Sequence, residues 1–366
     1  MKNDTNFIED VCVTHGSRMH RKDKKRFREY LINQAKSMGY QVSEEKGVFG
    51  TNVVVGNPDN ATTVCTAHYD TPPRLPKFVV KHMILSSFVL FPMIILGVSI
   101  GLPQLLINKI STFAFDIFYL ALNIVQSAVL VGCVAYLMGC FGGANKNNYN
   151  DNSSGCITLL KLMKKYENAP KNVKEKVSFV FFDNEEKGLL GSKMFSNKHK
   201  KYLKNQTFMN FDCVGRGNQF NMYYYGKEKT PIVKEIENLQ MEKGYKAKAI
   251  KSTMMSMSDH LSFKKYNHIC FLSVDQNNNK SIYTQIHSSN DTKIDAENID
   301  VLCNTITKTT AFDFGEYDNI ENQKQLEKQD KLVSDKNLFI SRILKNKLQK
   351  KDTNTMSDEF NEINIM

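Results

Sequence analysis

Short runs of β-branched and aromatic residues alternate with longer amphipathic segments along most of the chain. The short runs, which predict strands, are 51–55, 62–67, 176–182, 208–214, 221–225 and 269–274. Segments of helical length lie before and between them, at 21–38, 153–166, 188–197, 231–243 and 297–312. Strands that alternate with helices predict an α/β sandwich around a largely parallel or mixed sheet.

Two apolar segments break this pattern. Residues 83–102 and 117–142 contain no charged side chain, and each is long enough to cross a hydrocarbon core of ~30 Å as a helix. The first has Gly97 and Gly101 at a spacing that lets membrane helices pack closely. We therefore predict that residues 77–142 insert a two-helix transmembrane hairpin that contacts the lipid bilayer. The alternatives are buried helices, a hydrophobic lid or a dimer face in a soluble enzyme.

Charged residues around the two apolar segments predict their orientation. Arg74, Lys77 and Lys81 precede the pair and Lys146 follows it, whereas the connecting loop contains only Lys109. Since positive residues stay on the cytoplasmic side, both ends of the hairpin are expected to face the cytoplasm. The first residues of the chain also lack the apolar region of a signal peptide. The expected location is the cell membrane, with the remaining chain facing the cytoplasm.

Composition excludes several classes of function. The formal net charge is +11, but lysine is scattered and forms no basic patch interleaved with aromatic residues, so no nucleic-acid partner is expected. None of the eight cysteines forms a CxxC pair, which indicates reduced thiols rather than disulfides or a cysteine-bound zinc. Residues 316–366 are highly charged and predict a helical or disordered tail.

Five short motifs place metal-ligand side chains at or just after the ends of predicted strands. They are AHYD (His68, Asp70), NDNSSG (Asp151), FFDNEEKGLLGS (Glu185, Glu186), MNFDCVG (Asp212) and IHSSNDT (His287, Asp291). The carboxyl ends of strands in an α/β sheet converge on one crevice, where sites assemble. Taken singly, each motif also has a structural interpretation: Asp151, for example, is a good N-cap for the following helix.

Two histidines and three carboxylates without a thiolate suit a catalytic zinc site, or one for Co²⁺ or Mn²⁺. If one carboxylate is shared, five ligands hold two ions. In the adjacent pair Glu185 and Glu186, one side chain can bind metal while the other faces the water as a general base. Asp70 and Asp291 each lie a few residues from a histidine, and we expect them to orient its ring.

In their order along the chain, these motifs and Ser258-Asp259-His260 resemble the co-catalytic zinc aminopeptidase family. That family includes bacterial leucyl aminopeptidases, aminopeptidase Y and the glutamate carboxypeptidases. The resemblance covers residues 10–76 and 143–315, and it implies a three-layer α/β/α sandwich with a mixed, twisted sheet. It also implies a discontinuous peptidase domain over 1–76 and 143–315. The long insertion between His68 and Asp151 departs from the family, which joins these positions by a short loop.

The resemblance implies a role for each matched residue. His68 and Asp212 would hold one zinc ion, Glu186 and His287 the other, and Asp151 would bridge them. Glu185 would be the general base and Asp70 the partner of His68, while the role of Asp259 and His260 stays open. The implied substrates are peptides, with an apolar pocket wall suggested by three methionines at Met254, Met255 and Met257.

The expected function is removal of N-terminal residues from peptides at the cytoplasmic membrane face, where a membrane hairpin would bring the site close to the bilayer. A metallocarboxypeptidase is the nearest alternative, and a non-catalytic membrane scaffold is the alternative from another class. A single-zinc glutaminyl cyclase is disfavoured because His68 and Asp212, which a second ion requires, are both present. The sequence predicts no particular oligomeric state.

Overall fold

The structure is a computed structural model that describes residues 6–74, 143–225, 229–239, 241–252, 258–275 and 285–309, with isolated positions between 117 and 132. The apolar segment 83–102, most of 117–142, the methionines at 254, 255 and 257, and the tail 316–366 lie outside the described residues. The predictions made for those segments stay predictions.

The described part of the chain contains eight strands and, apart from the helical positions between 117 and 132, seven α-helices. The strands are β1 (Val42–Gly47), β2 (Gly50–Val55), β3 (Thr63–His68), β4 (Val177–Phe182), β5 (Thr207–Phe211), β6 (Gln219–Tyr224), β7 (Lys246–Lys251) and β8 (Asn267–Val274). The helices are α1 (Phe7–Glu9), α2 (Arg21–Ser37), α3 (Ser154–Tyr166), α4 (Lys171–Lys174), α5 (Leu190–His199), α6 (Pro231–Asn238) and α7 (296–309). An irregular helical turn, Tyr149–Ser153, leads into α3.

All eight strands form one mixed sheet in the order β1-β2-β4-β3-β5-β8-β6-β7. The four central strands β4, β3, β5 and β8 run parallel, so their carboxyl ends lie at one edge of the sheet. On one side, β2 pairs antiparallel with β4, and β1 forms an antiparallel hairpin with β2. On the other side, β6 pairs antiparallel with β8, and β7 runs parallel to β6. This confirms the predicted α/β fold with a mixed sheet.

Alternate residues of β4 show that helices cover both faces of the sheet. Val180 and Phe182 pack in a cluster with Phe195 of α5. Phe179 points the other way and contacts the rings of Tyr40 and Tyr166, the latter from α3. This period-two pattern, with apolar residues on both faces, explains why the central strands read as continuous apolar runs.

The sequence missed the two outermost strands, β1 and β7. Their side chains are largely exposed, and the sequences VSEEKG and KAKAIK lack the apolar density of a buried strand. The prediction was also wrong at two ends: α6 ends at Asn238 rather than 243, and β5 ends at Phe211 rather than 214.

The insertion leaves and rejoins the domain at one point. The backbone N–H of Arg74 donates to the carbonyl of Gly143 at 2.9 Å, and Pro73 and Ala144 form a β-bridge. The described positions between 117 and 132 are helical, and the apolar residues among them are exposed, namely Ile117, Leu120, Ile124, Val125 and Val131. Within the described residues, no helix has the length and apolar character needed to cross a membrane.

Candidate metal centre

The carboxyl edge of the parallel strands brings the predicted ligands together. His68 is the last residue of β3, Asp212 directly follows β5, and Glu186 lies in the turn after β4. Asp151 comes from the irregular turn before α3, and His287 from the loop over 285–291. Five side chains from five separate stretches of sequence thus meet at one site, which is otherwise largely buried.

Three groups of potential ligands occur at this site; one joins His68, Glu185 and Glu186, and the other two share Asp151. Of these two, His68, Asp151 and Asp212 form one, and Asp151, Glu186 and His287 form the other, each with ligand atoms within 4.8 Å of one another. His68 Nε2 lies 3.4 Å from Asp151 Oδ1 and 3.8 Å from Asp212 Oδ1. His287 Nε2 lies 3.0 Å from Asp151 Oδ2 and 3.5 Å from Glu186 Oε2.

Asp151 presents one carboxylate oxygen to each of the two groups that share it. Its Oδ1 faces His68 and its Oδ2 faces His287. Among the described residues, Asp151 Oδ1 and Glu186 Oε1 are buried oxygens without a hydrogen-bond partner. Because an unpartnered buried oxygen is costly, this donor set fits bound cations that would satisfy both atoms.

Electrostatics at the site reflect the crowding of carboxylates around two imidazoles. Burial raises the pKa of Glu186 to about 8, and it raises the pKa of Glu185 well above its usual range. Burial acts in the opposite direction on His287, but Glu186 and Asp151 raise its pKa to about 9. Carboxylates held this close to one another are stabilised by a positive charge between them.

Asp70 holds the two glutamates in place through their backbone. Its Oδ1 accepts the N–H of Glu185 at 3.0 Å and its Oδ2 accepts the N–H of Glu186 at 3.3 Å. It also lies beside His68, whose Nδ1 is 3.2 Å from the Asp70 carbonyl and 3.5 Å from its carboxylate. Asp70 therefore connects the predicted base and ligands from two strand ends.

The expectation for Asp291 was wrong. Its carboxylate does not orient the His287 ring; it accepts the backbone N–H groups of Asn150 and Asp151, at distances from 2.9 to 3.1 Å. It therefore fixes the turn that presents Asp151. The reason is geometric: the turn at 149–153 exposes consecutive N–H groups, which a carboxylate binds well.

Sequence reasoning missed Arg18, which is fully buried behind the site. Its side chain donates to the carbonyl of Tyr69 at 2.6 Å and to Ser153 Oγ at 3.0 Å. Its backbone N–H also donates to Thr71 Oγ1 at 2.9 Å. Arg18 thus ties the segment after His68 to the segment after Asp151. Its only sequence signal is an arginine beside a glycine-serine pair, which does not predict burial.

Lys24 was also missed, and it supports the turn after β4. Its Nζ lies 2.6 Å from Asp183 Oδ1 and 2.6 Å from Asn184 Oδ1, directly before the glutamate pair. Asp183 in turn accepts the backbone N–H of Thr51 at 3.0 Å. The lysine-rich start of α2 looks like a solvated helix end, and only the folded structure shows which lysine is buried.

The Ser258-Asp259-His260 segment lies close behind the ligand groups. Asp259 is fully buried, and within the described part of the chain neither of its carboxylate oxygens has a hydrogen-bond partner. Burial raises its pKa to about 7. His260 is also buried, with its Nε2 3.1 Å from Ser252 Oγ. The structure places this motif next to the site without assigning its role.

Backbone strain is concentrated at the same edge. Asn184, Cys213 and His287 adopt positive φ angles of 57°, 53° and 57°. Non-glycine residues seldom adopt this conformation, and it persists where the surrounding contacts determine the backbone. Each of the three lies at or next to a predicted catalytic or ligand residue.

Comparison with known proteins relates the chain to peptidases. Residues 142–310 match the model of Peptidase family M28. No curated protein sequence matches the chain. In structure the chain is similar to the LapA aminopeptidase of Legionella pneumophila, at 13% identity and a TM-score of 0.52, covering 84% of this chain and 68% of that one.

Two further solved structures share the fold. A Zn-dependent exopeptidase from Parabacteroides distasonis is 15% identical with a TM-score of 0.53, covering 84% of this chain and 97% of that one. A glutaminyl cyclase from Porphyromonas gingivalis is 17% identical with a TM-score of 0.54, covering 84% and 96%. At these identities the likeness shows the fold, and the family match adds the class of enzyme. Residues 142–310 therefore match a peptidase family M28 domain, and this match supports a metallopeptidase.

Proposed function

We propose that the chain is a di-zinc exopeptidase that removes N-terminal residues from peptides. The proposal rests chiefly on Asp151, whose two oxygens face two different histidines. A carboxylate in this position is suited to bridge two ions. His68 and Asp212 would complete one ion's ligands, and Glu186 and His287 the other's.

In this proposal two bound zinc ions supply Lewis-acid activation of the scissile carbonyl and of a water molecule. Glu185 takes the proton from the attacking water and returns it to the leaving amine. Its backbone is fixed by Asp70, and its environment is largely withdrawn from solvent. Asp70 and Asp291 act as positioning residues, since they hold the backbone that carries Glu185, Glu186 and Asp151.

Recognition of a peptide N-terminus is supported by the charge of the site. Besides the carboxylates that would bind the ions, three more lie at the site: Asp70, Glu185 and Asp259. Such a surrounding favours a free α-ammonium group over a free α-carboxylate. The LapA structure, an aminopeptidase, provides a precedent on the same fold.

The test is hydrolysis of free, N-blocked and C-blocked peptides by the purified chain, with metal content measured in parallel. We expect cleavage of peptides with free N-termini, loss of cleavage with chelator, recovery with zinc, and two ions per chain. Glu185→Gln should bind the same two ions and lose activity. Cleavage of N-blocked peptides would indicate a carboxypeptidase. Conversion of N-terminal glutamine to pyroglutamate without hydrolysis would indicate a cyclase. Metal binding without turnover would support a scaffold.

We further propose that the enzyme works at the cytoplasmic membrane face, on short peptides such as remnants of signal peptides. The uncharged segments 83–102 and 117–142 support this setting, as do the exposed apolar positions Ile117, Leu120 and Ile124. The insertion begins and ends beside the site, because Arg74 follows Asp70 closely and pairs with Gly143. Deleting residues 78–141 should release the protein from membranes and change the range of peptides cleaved. Unchanged fractionation with an unchanged substrate range would contradict this proposal.

A further inference from the structure

The tip of the β1–β2 hairpin is an exposed apolar feature at the carboxyl edge of the sheet. Val48 is 95% exposed and Phe49 is 59% exposed. Because β2 runs antiparallel to β4, the tip lies where β4 ends. The Asn184 side-chain amide donates to the carbonyl of Phe49, so the tip is tied to the residue directly before Glu185.

Exposed cations lie on the elements that contact this tip. Lys24 binds Asn184 through its Nζ at 2.6 Å, which brings the first turns of α2 to the same edge. Those turns have the sequence RKDKKR, with one acidic residue. On the other side, Met194 of α5 lies against Gly47 of the hairpin. We define the basic rim as five exposed cations on these three elements: Arg21, Lys22, Lys25, Lys46 and Lys193. Lys25 and Lys46 also form ion pairs with Glu29 and Glu44.

We propose that the hairpin tip and the basic rim together dock on an anionic lipid bilayer. Two apolar side chains are too few for a stable protein–protein interface, which buries about 800 Å² per partner. A small apolar tip surrounded by cations matches the chemistry of an anionic membrane surface, where side chains enter the acyl boundary and lysines contact phosphate groups.

The insertion provides a second, independent indication of the same occupant. It leaves the domain after β3 and returns before Asp151, at the same edge of the sheet as the tip. Its described apolar side chains are exposed. A bilayer contacted at this edge would lie beside the metal centre. The inference rests on the membrane setting proposed above, but it assigns a separate surface whose contact is measured without any turnover.

The experiment uses the absence of tryptophan from the whole sequence. Phe49→Trp makes the full chain a single-tryptophan protein, and selective excitation of that tryptophan reports on the tip. The matched control is Tyr202→Trp, because Tyr202 is 43% exposed and precedes β5, at the opposite edge of the sheet. Both variants would be reconstituted in nanodiscs of phosphatidylglycerol or phosphatidylcholine, with and without bromine-labelled acyl chains.

We expect Phe49→Trp emission to shift to the blue and to be quenched by brominated phosphatidylglycerol, with little change for Tyr202→Trp. Adding Lys22→Glu and Lys25→Glu should remove the preference for phosphatidylglycerol, since each cation near an anionic surface contributes roughly a fivefold gain in affinity. Emission from Phe49→Trp that matches the Tyr202→Trp control in every disc would overturn the proposal. So would equal quenching in the two lipids.

Hydrolysis of a soluble peptide in detergent separates this proposal from the proposed function. Phe49→Trp should cleave it at the rate of the unmodified chain, because Asn184 donates to the backbone carbonyl of Phe49, which the substitution keeps. If neither protein cleaves any peptide while the tip is still quenched, the peptidase proposal fails and the docking surface stands. If both proteins cleave the peptide and the tip is not quenched, the docking proposal fails and the peptidase proposal stands.

Discussion

The two halves of the metal centre are built in different ways. In the strand-built half, His68 ends β3 and Asp212 follows the adjacent parallel strand β5. The two strands also share a hydrogen bond between Thr66 and Asn210 at 2.9 Å. In the loop-built half, Glu186 and His287 lie in turns, and His287 has a positive φ angle. The His68 side chain is 1% exposed and that of His287 is 18% exposed.

The two halves are therefore held rigid by different contacts. The sheet and the buried Arg18 hold the strand-built half. The loop-built half depends on carboxylates, Asp70 and Asp291, that bind backbone N–H groups of the turns. A substitution that removes the support of the strand-built half should therefore lower the stability of the fold. A substitution that removes the support of the loop-built half should instead lower metal affinity.

The largest expected effect is that of Asp151→Asn, since Asp151 belongs to both halves. Loss of the shared carboxylate charge should lower kcat/KM by roughly 10⁴-fold or more, and metal content should fall from two ions to at most one. Steady-state kinetics and elemental analysis of the purified variant measure both. Asp300→Asn, at an exposed position on α7, is the matched control. Two retained ions with near-normal turnover would show that the halves do not share this ligand.

Next in size is the effect of Arg18→Met on stability. Removing the guanidinium leaves buried acceptors at Tyr69 and Ser153 without their donor, and we expect the free energy of unfolding to fall by about 2–4 kcal/mol. Arg18→Lys should recover only part of this loss, because an ammonium cannot reach all the acceptors at once. Urea unfolding measures the change, with Arg26→Met as the exposed control. A loss no larger than that of the control would refute the role given to Arg18.

Asp70→Asn and Asp291→Asn test the support of the loop-built half and of the shared Asp151. Each should weaken metal binding by about 10–100-fold, the range for partners that orient ligands, with a smaller effect on unfolding of the metal-free chain than Arg18→Met. Competition with a chelating dye gives the affinity of each ion. If the losses appear in unfolding rather than in metal affinity, both halves are supported by the same packing.

The smallest effect expected is a pH dependence of stability from His260, which lies behind the strand-built half. Burial, aided by His268, lowers its pKa to about 3. The folded state therefore binds fewer protons than the unfolded state between the two pKa values, so stability is greatest above the unfolded pKa and is lost as pH falls. Between about pH 7.5 and about pH 5.5 the loss should be about 1 kcal/mol. In His260→Gln the slope over this window should be shallower. An identical slope in the two proteins would show that His260 does not titrate in this way.

Local sequence signals predicted the central part of this molecule and missed its margins. The sequence predicts buried strands such as β4, because VSFVFF is apolar on both faces. The solvated strands β1 and β7 have sequences that resemble loops. The stretches that meet at the candidate metal centre could be identified in the sequence, because strand ends with histidines and carboxylates are a local pattern. The roles of Arg18, Lys24 and Asp291 depend on partners far away in sequence, which no local pattern encodes.

The hydrogen bond between Arg74 and Gly143 makes the inserted segment a favourable place to re-engineer this chain. Because the two ends of the insertion already meet across a β-bridge, the cost of closing this gap is nearly independent of what fills it. The segment between Arg74 and Gly143 can therefore be exchanged for another one. This junction could hold a turn of a few residues, a different inserted segment or a new pair of chain termini, and the sheet would keep its position.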